Sequence, residues 1–209
     1  MNVVEALRWR YATKKFDPEK KVSEADVSYL KDAVRLAASS YGLQAYKVLI
    51  ISDQQLKDKL KPASYGQSQI SDASHLFVFC SYKNVSSEDV DKFIQLNADV
   101  TGKPVEKLEG FSKHLKGDMA GKSKENMFIW TAKQTYIALA NLMTACGERK
   151  IDACPMEGIV AAKYDQILGL EEKGLTTTVA CSVGYRHEDD KYQHVKKVRK
   201  ANEDLFLEI

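Results

Sequence analysis

Apolar residues recur along the chain at two different periods, and the alternation between them divides the sequence into elements. Ser23-Glu24-Ala25-Asp26 has the spacing of a helix-opening capping box, and Val27, Leu30, Ala33, Val34 and Ala37 follow at helical intervals, so a helix is predicted that ends near Ser39-Ser40. Tyr46-Lys47-Val48-Leu49-Ile50-Ile51-Ser52 is a short β-branched run between polar residues and predicts a strand; Asp53 is then placed to cap a helix through Leu60. Residues 76–81 and 176–183 are continuously apolar or β-branched, the pattern of strands in a sheet covered on both faces. Charged helical stretches are predicted at roughly 86–100, 104–120 and 124–149. In the last of these Met127, Ile129, Trp130, Tyr136, Ile137, Leu139 and Leu142 wrap most of the circumference, which demands cover on nearly all sides, as in a central or dimer-interface helix. Gly147 stands where a left-handed terminator would stop it. The architecture expected is a sheet between helices.

Composition narrows the functional classes. With 209 residues, 44% of them hydrophobic, the chain can bury a core in one domain with excursions, and no repeat or low-complexity linker marks a boundary. Lysine and arginine number 31 against 29 acidic residues, so nothing global points to nucleic acid or an anionic membrane, and any cationic site must be local. No basic and apolar leader opens the sequence and no long apolar run spans it, which makes a cytoplasmic protein the expectation. Cys80, Cys146, Cys154 and Cys181 lack CxxC spacing and nearby histidine, so reduced core thiols rather than metal ligands are expected. Gly117-Asp118-Met119-Ala120-Gly121-Lys122-Ser123 imitates a phosphate loop but has too few residues between its glycines and no strand before it. There is no GxGxxG after a strand, and His75, His114, His187 and His194 stand outside any nucleophile motif, so neither a Rossmann pocket nor a hydrolase is supported.

Four local segments carry candidate chemistry, each with an ordinary reading beside it. Arg8-Trp9-Arg10-Tyr11-Ala12-Thr13-Lys14-Lys15 concentrates cations after a short helix, as an anion site or a solvated face does. Ala37-Ala38-Ser39-Ser40-Tyr41-Gly42 is small and hydroxyl-rich, suited to a close approach or to a plain helix exit. Asp152-Ala153-Cys154-Pro155-Met156-Glu157-Gly158 reads as a proline-glycine loop, either presenting backbone amides to an acceptor or simply connecting elements. Lys196-Lys197-Val198-Arg199-Lys200 is a phosphate contact or a soluble tail.

In order and separation these segments closely resemble the FMN-dependent nitroreductase family: Arg10-x-x-x-Lys14, Ser39-Ser40, Pro155-x-Glu157-Gly158 after a long apolar helix, and Lys197-x-Arg199. Asp72-Ala73-Ser74-His75, Ala132-Lys133-Gln134-Thr135-Tyr136 and Glu172-Lys173-Gly174 extend the resemblance over essentially the whole chain, and it is greatest to the branch of oxygen-insensitive nitroreductases and dihydropteridine-reductase-like enzymes. The resemblance implies an α+β fold with a mainly antiparallel central sheet flanked by helices, one FMN-binding domain over 1–209 with a helical excursion at about 86–123, and an intertwined homodimer with noncovalent FMN at the interface. It assigns Arg10, Lys197 and Arg199 to the FMN phosphate, with Tyr11 and Ala12 beside them, and Lys14 to the flavin N1 and O2 edge, where a cation favours reduction. Pro155, Met156, Glu157 and Gly158 match the loop facing N5 and O4, Ser39 and Ser40 match contacts from the partner subunit, and Phe111 is an aromatic lid candidate toward substrate. Departures are Ala12 for a common serine, Gly42 for asparagine, Ala45 for proline, and Gln67 and Gln69 where better-known members place asparagine and lysine, a neutral donor that makes the flavin harder to reduce. The implied activity is ping-pong transfer of electrons from NAD(P)H to small planar acceptors such as nitroaromatics and quinones; a dihydropteridine reductase and a non-catalytic FMN-binding module are the alternatives.

Overall fold

The computed structural model describes residues 2–209. Short polar caps open five of its α-helices. Asn2 and Glu5 form a reciprocal capping box at α1 (Val3–Trp9), and Ser23 accepts from the Asp26 amide at the start of α2 (Glu24–Arg35). α2 ends earlier than its apolar spacing predicts, because the chain must turn into β1 (Tyr46–Ile51) through a segment in which Tyr41, Gly42 and Gln44 all have positive φ. Asp53 caps α3 (Gln54–Leu60) as expected, and α4 (Gln69–Asp72) leads into β2 (His75–Tyr82).

The sheet has strand order β1-β2-β4-β3, with β3 at Asp152–Met156 and β4 at Leu175–Gly184, and every pairing is antiparallel. The fold is α+β. Leu76, Phe77, Val78, Phe79 and Cys80 are all fully buried, as their unbroken apolar run requires when both faces are covered. On one face Phe77, Phe79 and Val179 pack against α2 and the long α7 (Lys124–Glu148); on the other Leu76, Val78 and Ala180 pack with Leu60, Ile70 and Tyr164 of α3, α4 and α8 (Ala161–Leu168). The predicted excursion is α5 (Ser87–Thr101) and α6 (Glu109–Ala120), the latter preceded by a 3-10 turn rather than being one continuous helix from residue 104. These helices gather Val90, Ile94, Leu115 and Met127 into a satellite cluster at the beginning of α7. A last short helix, α9 (Asn202–Leu205), lies in the C-terminal arm. Among the described residues no helix is long and apolar enough to cross a membrane.

Two sequence expectations are corrected. The segment after residue 151 is the edge strand β3 rather than the start of a loop, and its proline is tolerated because an edge strand need not donate on its outer side. Gly147 is not the left-handed terminator of α7; Lys150 has the positive φ, and Gly147 lies inside the helix. Its role is contact: a Cβ there would stand 2.9 Å from the Ala6 carbonyl oxygen, so only glycine lets α1 lie this close to α7.

Candidate functional site

The two ends of the chain meet at one cavity. Lys197 Nζ donates to the carbonyls of Leu7, Arg8 (3.2 Å) and Arg10 (2.5 Å), taking up the orphan acceptors at the C-terminus of α1 and fixing the C-terminal arm against the N-terminal segment. Between them lies a space of about 370 Å³ lined by Arg8, Arg10, Lys14, Lys196, Lys197 and Arg199, with Tyr11 and Ala12 on its wall and no carboxylate among its lining residues. Arg10 Nε is buried without a hydrogen-bond partner, a donor left facing nothing of its own chain. Burial first, and then the neighbouring charges of Arg10 and Arg199, pull the Lys197 ammonium below its usual pKa. Such crowding of like charge with an unpaired donor is relieved by an anion with several acceptor oxygens, and a phosphate monoester fits that chemistry.

A buried carboxylate outside the cavity shapes its floor. Asp190 Oδ2 accepts from Tyr11 Oη (2.9 Å) and from the amides of Lys14 (2.8 Å) and Lys15 (3.2 Å), while Oδ1 accepts from the Tyr192 amide (3.0 Å). Burial pushes its pKa up, but the Lys14, Lys15 and Tyr192 amides and the Tyr11 hydroxyl outweigh that and hold it below the ordinary carboxylate value. Burial and the bond to Asp190 push the Tyr11 phenol in the opposite direction, upward. The same segment runs along the outer edge of the sheet, where Ala12 bridges Ala153 in parallel and Phe16 bridges Arg186. Arg186 stacks over Trp9 and Tyr11, 4.4 and 4.6 Å from their ring centres, and its guanidinium pairs with buried Asp152 at 2.6 Å, which also accepts from Thr13 Oγ1.

Other candidates lie around this cavity rather than in it. Pro155 and Met156 belong to β3; the Met156 side chain is buried in the core and accepts from Ser182 Oγ, so only its backbone is available to a ligand. Glu157 Oε1 accepts from Tyr136 Oη of α7 at 2.7 Å, and burial followed by that bond pushes the phenol up to about 12. Gln67 Nε2 donates to the Gly158 carbonyl at 2.9 Å, and a Cβ on Gly158 would press on that amide at 3.0 Å, so the turn after β3 and the segment before α4 are held together. Gln69 is buried at the start of α4. Ser39 and Ser40 lie outside the cationic cavity, with the Ser40 amide donating to Gln134 Oε1 of α7 at 2.8 Å. Phe111 packs at 6.3 Å between ring centres against both Tyr41 and Phe93 in the satellite cluster and lines no part of the cationic cavity.

The Nitroreductase family model matches residues 7–185. The chain belongs to the nitroreductase family. A Staphylococcus haemolyticus protein assigned by name to the NAD(P)H nitroreductases is 38% identical over 212 residues, covering 98% of this chain and 95% of that protein. A Staphylococcus aureus protein of like name is 36% identical over 222 residues, covering 98% and 94%. Solved structures agree in fold: a Bacillus subtilis protein classed as a nitroreductase superposes with a TM-score of 0.88 at 17% identity, covering 99% of this chain and 98% of that one. An Exiguobacterium sibiricum protein so classed, solved in complex with FMN, superposes at 0.84 with 16% identity, covering 100% and 98%.

Within the family frame, the residues that sequence reasoning missed are Asp190, Asp152 and Arg186. Each is a charged residue that bonds partners far along the chain, Asp190 reaching residues 175 to 179 positions away beside its local bond from Tyr192, so local spacing does not announce the role. The one legible signal was the aromatic pair Trp9 and Tyr11 beside the arginines, which is a stacking surface for a guanidinium. Among the described residues no group of three His, Cys, Asp or Glu is arranged to hold a metal ion. The Gly117–Gly121 stretch runs along the end of α6 and is no phosphate loop.

Proposed function

We propose that this chain is a cytoplasmic, homodimeric FMN-dependent NAD(P)H oxidoreductase that reduces small planar acceptors such as nitroaromatics and quinones. The observation that carries the reading is the carboxylate-free cationic cavity with the unpartnered Arg10 Nε. Family membership and the names of the staphylococcal relatives support the reductase activity, and the FMN complex of the Exiguobacterium sibiricum structure supports the cofactor.

Arg10, Lys197 and Arg199 would hold the phosphate, where each contact is charge-assisted. Lys14, whose backbone Asp190 fixes, would set its cation beside the ring edge that becomes anionic, and the Glu157-Gly158 turn would offer backbone amides to the opposite edge. When bound, FMN supplies the hydride acceptance and donation, and no side chain need act as acid or base. A second copy is supported by placement: Ser39 and Ser40, which the resemblance matches to contacts from the partner subunit, lie away from the phosphate cavity. α7 also leaves Phe128, Tyr136 and Ile137 exposed, an apolar surface suited to a two-fold partner.

Purified protein should carry a yellow chromophore that mass spectrometry identifies as FMN and that bleaches anaerobically on adding NADH or NADPH. A chromophore other than FMN, or one that NAD(P)H leaves oxidised, overturns the reading. A monomer by light scattering with full activity removes the dimer.

A further inference from the structure

A second cavity, of about 460 Å³, opens between the end of α6 and the beginning of α7 and is not accounted for by the phosphate site. Trp130 and Ile129 give it an apolar wall, with Lys122 Nζ 5.6 Å from the Trp130 ring centre, and Gly117 and Gly121 leave its other side without bulk. Its polar groups are Lys122, Lys133, Asn126 and a single carboxylate, Asp118. That carboxylate is already satisfied: Lys122 Nζ pairs with it at 2.7 Å, Tyr41 Oη donates to it at 3.2 Å, and Lys122, first by its hydrogen bond, holds its pKa below the usual value. Lys133, by contrast, is exposed and makes no ion pair with any described residue. The cavity therefore presents an aromatic wall, an amide and one unspent positive charge.

It also borders the 39–42 turn. Tyr41 reaches from the 39–42 turn to Asp118 on the cavity wall, and Gln134, which holds the Ser40 amide, donates in turn to the Trp130 carbonyl at 3.0 Å. Tyr41 has a positive φ of 60°, backbone strain of the kind that persists where surrounding contacts impose it.

We infer that this cavity binds a flat ring bearing an anionic substituent, with the ring on Trp130 and the anionic group on Lys133, and that it biases the enzyme toward acidic aromatic acceptors such as nitroaromatic carboxylates. The inference rests on the reductase reading for its catalytic consequence, though not for the binding itself. A ring against Trp130 gains stacking and apolar burial, and a carboxylate at Lys133 gains a charge-assisted bond that a neutral amide of the same shape lacks. NAD(P)H is also planar and anionic, so the test must separate it.

The probes are 4-nitrobenzoate and 4-nitrobenzamide, used on the full-length holoprotein. By titration calorimetry the carboxylate should bind about tenfold tighter than the amide, the effect of one charged contact, and Lys133→Gln should erase the difference while Lys133→Arg keeps it. The ratio of kcat/KM for the two acceptors should follow the same order and collapse in Lys133→Gln. Equal binding of the two probes, or discrimination that survives Lys133→Gln, overturns the inference and leaves the reductase reading intact. Selective binding without turnover of either probe supports the site and defeats the reductase reading. A rise in KM for NAD(P)H in Lys133→Gln with acceptor discrimination unchanged assigns the lysine to the dinucleotide and overturns the inference.

Discussion

Replacing Asp190 by asparagine removes one charge and almost no volume at a position that touches the candidate site only through other residues. In the native side chain Oδ2 receives three donors and Oδ1 receives one. Asparagine has a single acceptor oxygen. Turned toward Tyr11, Lys14 and Lys15, it keeps those three bonds without their ionic component and sets its own NH2 against the Tyr192 amide, leaving a buried donor unsatisfied. Asp190 is 2% exposed, so water does not replace the lost acceptor. Bonds to a charged group contribute about 1.5–3 kcal/mol and an unsatisfied buried donor costs a similar amount, so a loss of about 2–3 kcal/mol is expected. The urea midpoint should fall with its slope unchanged. Because the same carboxylate fixes the Lys14 backbone and the Tyr11 wall of the cavity, FMN affinity should fall by about one to two decades. Urea denaturation followed by circular dichroism, beside titration of apoprotein with FMN, measures both. An unchanged midpoint together with an unchanged FMN affinity would refute the positioning role.

Arg199→Ala should weaken FMN binding by about one to two decades, from loss of a charge-assisted contact, and leave the potential of the bound flavin nearly unchanged. Lys14→Ala should instead lower that potential and slow reduction by NAD(P)H in flavin-saturated enzyme; redox titration and anaerobic stopped-flow separate the two, and a swapped result sinks the assignment. Gly147→Ala pushes a methyl to 2.9 Å from the Ala6 carbonyl and 3.2 Å from its Cβ, so it should destabilise by about 1–3 kcal/mol, read as a lowered melting temperature. Asp190 titrates lower in the folded state than its ordinary 3.8, so its contribution is full above that value and is lost as pH falls below it. The wild type should therefore lose stability more steeply than Asp190→Asn below about pH 3.8, and parallel acid-unfolding curves would contradict this.

What the sequence disclosed depended on whether the cause was local. β2 was legible because a strand buried on both faces has no polar position to interrupt its run, and α7 because a helix packed on several sides needs apolar residues around most of its girth. β3 was not legible: five residues containing Asp152 and Pro155 carry no strand pattern, and they become one because β4 and the Ala12 bridge lie on either side. Gly147 was misread since a glycine near a helix end suggests a terminator, whereas the demand for a bare Cα came from Ala6, far away in sequence. For the site, Arg10, Lys14, Lys197 and Arg199 were nameable from the resemblance, but their convergence on one cavity is tertiary. Phe111, which the resemblance offered as a lid, packs in the satellite cluster, a position that no local pattern announces.

The bond from Lys197 to the end of α1 spans 187 to 190 positions of sequence. Lys196, Lys197 and Arg199 all follow the last strand, so a chain that stops before them can hold the whole sheet and the long helix and still lack half the cations that line the cavity. On the FMN reading proposed above, flavin content rather than secondary structure should report whether the C-terminal arm is present. Circular dichroism beside flavin absorbance, on a chain cut after residue 195, measures both.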